Sequence, residues 1–146
     1  MSIIIRDLEA EDRNEWTSLW RAYLAFYETT LPETVFDTTF KRLLSDEHKN
    51  QNCMIALIGS KPVGLVHYIY HPHNWNLNEV TYLQDLYADP DHRGQGIGRA
   101  LIQAVYDKAD ANGTPNVYWL TQEFNHTARH LYDRVAKVTP FIKYNR

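Results

Sequence analysis

Arg93-Gly94-Gln95-Gly96-Ile97-Gly98-Arg99 is the segment that most limits what this chain can become. Glycine at every second position removes alternate side chains, and glycine alone enters left-handed backbone without steric cost. Before this segment, Val80–Ala88 is an apolar, β-branched and aromatic run that reads as a strand. After it, Ile97, Ala100, Leu101, Ala104, Val105 and Ala109 recur at helical spacing until Asn112-Gly113 stops the helix. A further strand is predicted over Asn116–Thr121, rich in Val, Tyr and Trp. Strand, tight turn, helix and strand form a unit with two parallel strands and a right-handed crossover. Ligands of such sheets settle beyond the carboxyl ends of the parallel strands. Here those ends are Leu86–Ala88 and Thr121–Asn125.

The rest of the chain supplies a sheet for that unit to join. Ser2–Asp7 reads as a short strand, and Asp12 is expected to cap the helix after it. Trp16, Leu19, Trp20, Tyr23, Leu24 and Tyr27 make one apolar face of that helix. A second helix carries Val35, Phe36, Phe40, Leu43 and Leu44. Cys53–Ile58 and Val63–Tyr70 are strands joined by a turn at Gly59-Ser60-Lys61-Pro62. A last helix carries Ala128, Leu131, Tyr132, Val135 and Ala136, and Phe141–Tyr144 is expected to close the order as a short strand. The expectation is a mixed α/β sheet in the order β-α-α-β-β-β-α-β-α-β, with 1–146 as a single domain.

Composition excludes several classes. A length of 146 residues is close to one domain. Hydrophobic residues at 44% and charged residues at 23% describe a globular chain rather than a disordered one. A net charge of -3 argues against nucleic acid as a partner. Cys53 alone can form neither an internal disulfide nor a cysteine-based zinc cluster, which suits a reducing cytoplasm. Ile3–Ile5 run straight into Arg6, Asp7 and Glu9, so no secretion signal is read, and no apolar run approaches the ~18 residues of a membrane span.

The glycine-rich turn has the chemistry of an anion cradle. Backbone N–H groups there can approach a diphosphate closely, the helix start adds its unpaired donors, and Arg93 and Arg99 add full charges. No Lys-Ser/Thr follows, so it is not a Walker loop. A Gly-x-Gly-x-x-Gly count ends on Arg99 or Leu101, so it is not the dinucleotide fingerprint either.

These residues resemble the GCN5-related N-acetyltransferase (GNAT) superfamily. Arg93-Gly94-Gln95-Gly96-Ile97-Gly98 matches its Gln/Arg-x-x-Gly-x-Gly/Ala motif, directly after Tyr82–Ala88. Asn125-His126-Thr127-Ala128-Arg129-His130-Leu131-Tyr132 resembles its Asn-x-x-Ala-x-x-Leu-Tyr. Leu83-Gln84-Asp85-Leu86-Tyr87 and the ending Thr139-Pro140-Phe141-Ile142-Lys143-Tyr144 resemble the small polyamine and histone-tail branch. The resemblance implies a sheet whose parallel strands splay at an acyl-CoA site. It also implies acetyl-CoA as acetyl donor, a small-molecule or peptide amine as acceptor, and a homodimer. Leu86, Tyr87 and Ala88 would pair with the pantetheine arm. Arg93 and the amides from Gly94 through Gln95, Gly96, Ile97 and Gly98 to Arg99 would hold the pyrophosphate. Asn125, with Arg129 on the same helical stripe, would flank the arm. Tyr132 would protonate the departing thiolate.

The acceptor side is less complete. Polyamine-branch relatives often carry Glu-Asp where this chain has Gln84-Asp85, and an amide cannot act as a base. Asp85, Tyr82 and Glu28 are candidates for binding a cationic acceptor. Glu79, Tyr82, Glu123 or a water chain are candidates for taking its proton. His126 and His130 share helical spacing, but Thr127 stands where a metalloprotease helix needs Glu, so no metal is expected. The alternative to an enzyme is a non-catalytic acyl-CoA sensor or interaction module.

Overall fold

The computed structural model describes residues 2–146. Strand β1 (Ile3–Asp7) leads through one 3-10 turn into α1 (Arg13–Phe26), followed by α2 (Glu33–Leu44). Strands β2 (Gln51–Ile58), β3 (Lys61–His71) and β4 (Val80–Ala88) follow as an antiparallel meander. Then come α3 (Ile97–Asn112), β5 (Val117–Tyr118) and α4 (His126–Val135). The five strands form one sheet in the order β1-β2-β3-β4-β5, with β4 and β5 parallel.

The sheet is covered on both faces, which is why β2 and β3 are almost continuously apolar. Side chains alternate between two cores. Cys53, Ile55, Leu57 and Leu65 pack under α1 and α2 against Trp16, Trp20, Phe36 and Phe40. Met54, Ala56, Ile58, Val66 and Leu83 pack under α3 against Ile97, Leu101, Ile102 and Val105. Cys53 is fully inside the first core, a small hydrophobe rather than a reactive thiol.

Three expectations are corrected. Asp12 does not cap α1. Its carboxylate takes a bidentate pair from Arg6, at 2.7 and 2.9 Å, and the Glu9 amide at 2.7 Å, closing the preceding turn. The strand expected over Asn116–Thr121 keeps only Val117 and Tyr118, because β4 turns away from it beyond Tyr82. Phe141–Tyr144 forms no strand: it pairs with no strand of the chain, and its apolar side chains are exposed.

The divergence of β4 from β5 has a local cause. His67 pairs with Asp85 and Tyr68 with Leu83, so Gln84 is an extra residue on β4. Such a bulge bends the strand and increases its twist. It also changes the faces. Leu83 points into the α3 core while Asp85, two residues on, is buried on the α1 side.

Arg6 holds the Asp12 carboxyl below its usual range, with the Glu9 N–H adding to the effect. A depressed folded value means stabilisation that is complete above the ordinary carboxylate pKa of ~3.9 and lost as pH falls through the folded value. Asp12→Asn should therefore cost roughly 1–2 kcal/mol at pH 7 in urea unfolding, with the deficit shrinking below about pH 4. An equal deficit at pH 7 and pH 3 would show that the ion pair is not its source.

Candidate active site

Beyond Thr81↔Val117 and Tyr82↔Tyr118 no register joins β4 to β5. From Leu83 onward one side of β4 is open. Asp89 donates its N–H to Val63 on β3, so by alternation the main-chain groups of Leu86 and Ala88 face the open side. Leu86 packs on the α3 core and Tyr87 on the α1 core, which leaves the edge between them firmly held.

The turn after β4 continues this supply of free donors. Arg93 donates its amide to Pro90, and the next bonded amide is Ala100, which donates to Gly96 at 2.9 Å. The amides from Gly94 to Arg99 donate to no protein group among the described residues. Gly94 and Gly96 hold φ of +77° and +80°, and a Cβ at either would meet nothing within 4 Å. Glycine is therefore required there for backbone geometry, not for space. The Ile97 side chain is fully core, so only its amide is left to the turn. Arg93 and Arg99 are exposed and pair with no carboxylate among the described residues. This arrangement fits a diphosphate.

On the far side of the opening lies α4. Leu131 of α4 packs close to Gly98, where a Cβ would sit 3.3 Å from its Cδ2, so the missing side chain brings α4 near the start of α3. Asn125, just before α4, is half-buried and holds Thr121 only loosely at 3.4 Å. Arg129 spends one guanidinium N–H on the Glu123 carbonyl at 2.7 Å, tying down the loop before the helix. Tyr132 packs edge-on to Trp119 with ring centroids 5.4 Å apart. Burial, with Tyr27 nearby, pushes its hydroxyl up to about 12. Its proton therefore stays in place at physiological pH.

The α1 face of the opening is aromatic around one carboxylate. Asp85 Oδ2 accepts the Trp20 indole N–H at 3.2 Å and lies 2.8 Å from His67 Nδ1. Burial and then Asp85 raise the Tyr23 and Tyr27 hydroxyls; Tyr82 is raised by burial, its neighbour Tyr118 and Asp85. Tyr82 and Tyr118 are stacked at 4.8 Å and 11°. The Tyr118 hydroxyl bonds His71 Nε2 at 2.8 Å. Glu28 is exposed just past α1 with φ +55°, in the turn closed by Glu28 N–H to Ala25 and Thr29 N–H to Leu24. That is the helix-ending position where glycine is usual.

His67 and Tyr118 were not among the sequence candidates. The signal for His67 was a lone imidazole sharing a strand face with Leu65 in an otherwise apolar run. No group of three or more His, Cys, Asp or Glu placed to hold a metal occurs among the described residues.

An open strand edge beside a glycine turn of free amides suits a ligand with a polar arm and a diphosphate, the form of an acyl-CoA. The family comparison agrees: residues 15–136 match the acetyltransferase (GNAT) family. The chain is 37% identical over 145 residues to the D-amino-acid N-acetyltransferase HPA3 of Saccharomyces cerevisiae, covering 99% of this chain and 90% of that one. It is 29% identical over 108 residues to the thialysine N-epsilon-acetyltransferase of Caenorhabditis elegans, covering 74% and 67%. Its fold is shared with the aminoglycoside N-acetyltransferase AAC(6')-Iy in complex with CoA, at a TM-score of 0.84 and 15% identity over 99% of this chain and 94% of that one. The protein belongs to the GNAT acetyltransferase family and is an acetyl-CoA-dependent N-acetyltransferase.

Gly96→Ala isolates the turn. It should cost about 1–2 kcal/mol of stability from left-handed strain alone, and should raise the KM for acetyl-CoA while leaving the acceptor KM in place. Steady-state kinetics with each substrate varied separately reads the split; equal movement of both constants would show general damage instead.

Proposed function

We propose that the 146 residues act as one catalytic unit that moves an acetyl group directly to the primary amine of a small molecule of amino-acid or lysine type. The observation that carries this reading is the opening itself. The free amides of Gly94–Arg99 and the open edge at Leu86 and Ala88 border it, Asp85 with its aromatic shell lies on the α1 side, and this reading sets the Tyr132 hydroxyl of α4 across from them. The names of the relatives support the acceptor class, since they act on D-amino acids and on thialysine.

Acetyl-CoA supplies the acetyl group as a thioester. The amides from Gly94 to Arg99, with Arg93, hold its diphosphate. Leu86, Tyr87 and Ala88 pair along its arm, with Asn125 and Arg129 on the other side. The Leu86 N–H, facing the opening, is the donor for charge that develops on the carbonyl oxygen. Asp85, supported by Tyr82 and Glu28, binds positive charge on the acceptor. A carboxylate ringed by aromatic faces suits an ammonium. The acceptor nitrogen gives up its ammonium proton to solvent and attacks the carbonyl carbon; the new C–N bond forms, the nitrogen releases its second proton to solvent, and the C–S bond breaks. The Tyr132 O–H proton goes to the leaving sulfur, and Tyr132 recovers a proton from water. Gln84 projects outward at the bulge and takes no proton.

The same reading places the enzyme in the cytoplasm. It also pairs two copies through the tail, where Phe141, Ile142 and Tyr144 are 81%, 76% and 87% exposed. Sedimentation equilibrium should then return twice the chain mass, and truncation after Lys137 should return the monomer. A monomer at micromolar concentration in the intact chain would remove the pairing.

Tyr132→Phe should lower kcat by about 10²–10⁴-fold with little change in acetyl-CoA affinity. Asp85→Asn should raise the KM of cationic acceptors and leave that of acetyl-CoA alone. Free-thiol release across a panel of D- and L-amino acids, lysine analogues, polyamines and basic peptides measures both. Full turnover by Tyr132→Phe would remove the acid role, and turnover confined to neutral amines would remove the cationic acceptor.

A further inference from the structure

His67 and Asp85 face each other across the β3–β4 ladder at the bulge, and both are buried on the α1 side. The proton positions in this pair follow from donor chemistry. The Trp16 indole nitrogen lies 3.0 Å from His67 Nε2. An indole N–H can only donate, so Nε2 must accept and carries no proton. The remaining ring proton is then on Nδ1, which lies 2.8 Å from Asp85 Oδ2 and donates to it. Trp20 donates to the same oxygen at 3.2 Å.

Asp85 is therefore gripped through one oxygen by two neutral ring N–H groups, and it pairs with no Lys or Arg among the described residues. Its negative charge is oriented without being cancelled; neither ring N–H goes to Oδ1, and the Tyr23 hydroxyl is the other polar neighbour of the carboxylate. Trp16 and Trp20 are one helical turn apart on α1, so the helix sets both ends of the chain Trp16–His67–Asp85–Trp20.

We infer that His67 is a positioning residue for the acceptor. Locked by Trp16 as the neutral Nδ1–H tautomer, it aims the Asp85 carboxylate so that Oδ1 meets the positive charge of the incoming amine. His67 touches neither substrate. The inference rests on Asp85 being the acceptor-binding carboxylate, as proposed above.

The test uses His67→Leu, His67→Asn and Asp85→Asn in the full chain, with the tautomer read separately in the unmodified protein. Leu fills much of the imidazole volume but donates nothing. Asn places an amide N–H near the position of Nδ1 and keeps the bond to Asp85. His67→Leu should raise the KM of a cationic acceptor by roughly tenfold to a hundredfold, the loss of a hydrogen bond to a charge. The acetyl-CoA KM should not move, and His67→Asn should recover most of the loss. Adding His67→Leu to Asp85→Asn should change the acceptor KM no further. Nitrogen-15 NMR of the unmodified protein should show a protonated Nδ1 and an unprotonated Nε2 for His67.

A protonated Nε2, an additive double variant, or Leu and Asn variants that behave alike would each overturn the assignment. The NMR measurement decides even if His67→Leu fails to fold. If Asp85→Asn itself leaves the acceptor KM unchanged, the reading of Asp85 falls. A normal Asp85→Asn effect with a silent His67→Leu defeats the positioning role alone.

Discussion

Main-chain groups that lack a partner are what the whole arrangement depends on. A folded chain pairs nearly all its backbone donors and acceptors. Here β4 loses its neighbour beyond Tyr82, and the amides from Gly94 to Arg99 have no protein acceptor among the described residues. Both sets lie around one opening. The cost of leaving them free is tolerable because water reaches them, and a ligand with a polar arm and a diphosphate can satisfy both. The bulge at Gln84 is the device that produces this state, because it bends β4 away from β5 after only two paired residues.

The bulge also divides the labour between the two faces of the sheet. It sends Leu83 into the core under α3 and Asp85 toward α1. In an unbroken strand those two residues would share a face. The α3 side carries the glycine turn with its free amides, while the α1 side presents a carboxylate among tyrosines. In the proposed function, opposite charges are handled on opposite sides of one strand edge.

What could be read from the sequence was local. The helical faces of α1, α2 and α3, the strands β2 to β4 and the glycine turn each show their period or their special residues within a short window. The left-handed turn was legible for the same reason, since Gly94 and Gly96 give it positive φ. The acceptor face was not. His67 and Asp85 meet only because β3 and β4 pair with a one-residue offset, and no periodicity announces such an offset. Trp16 and Trp20 looked like plain core because their rings are core, and only their N–H groups belong to the polar chain. Asp12 looked like a cap because its position suited one, while Arg6, six residues earlier, holds it elsewhere. Phe141–Tyr144 had the pattern of a strand but no edge of its own chain to join.

In the proposed function the free amides beside β4 hold the diphosphate of the acetyl donor. Amide chemical shifts and hydrogen exchange, followed on titration with CoA, test it most directly. The account predicts that Gly94, Gln95, Gly96, Ile97, Gly98 and Arg99, together with Leu86 and Ala88, shift and gain protection, while β1 and α2 stay silent. Saturable CoA binding with those eight amides unmoved would contradict it.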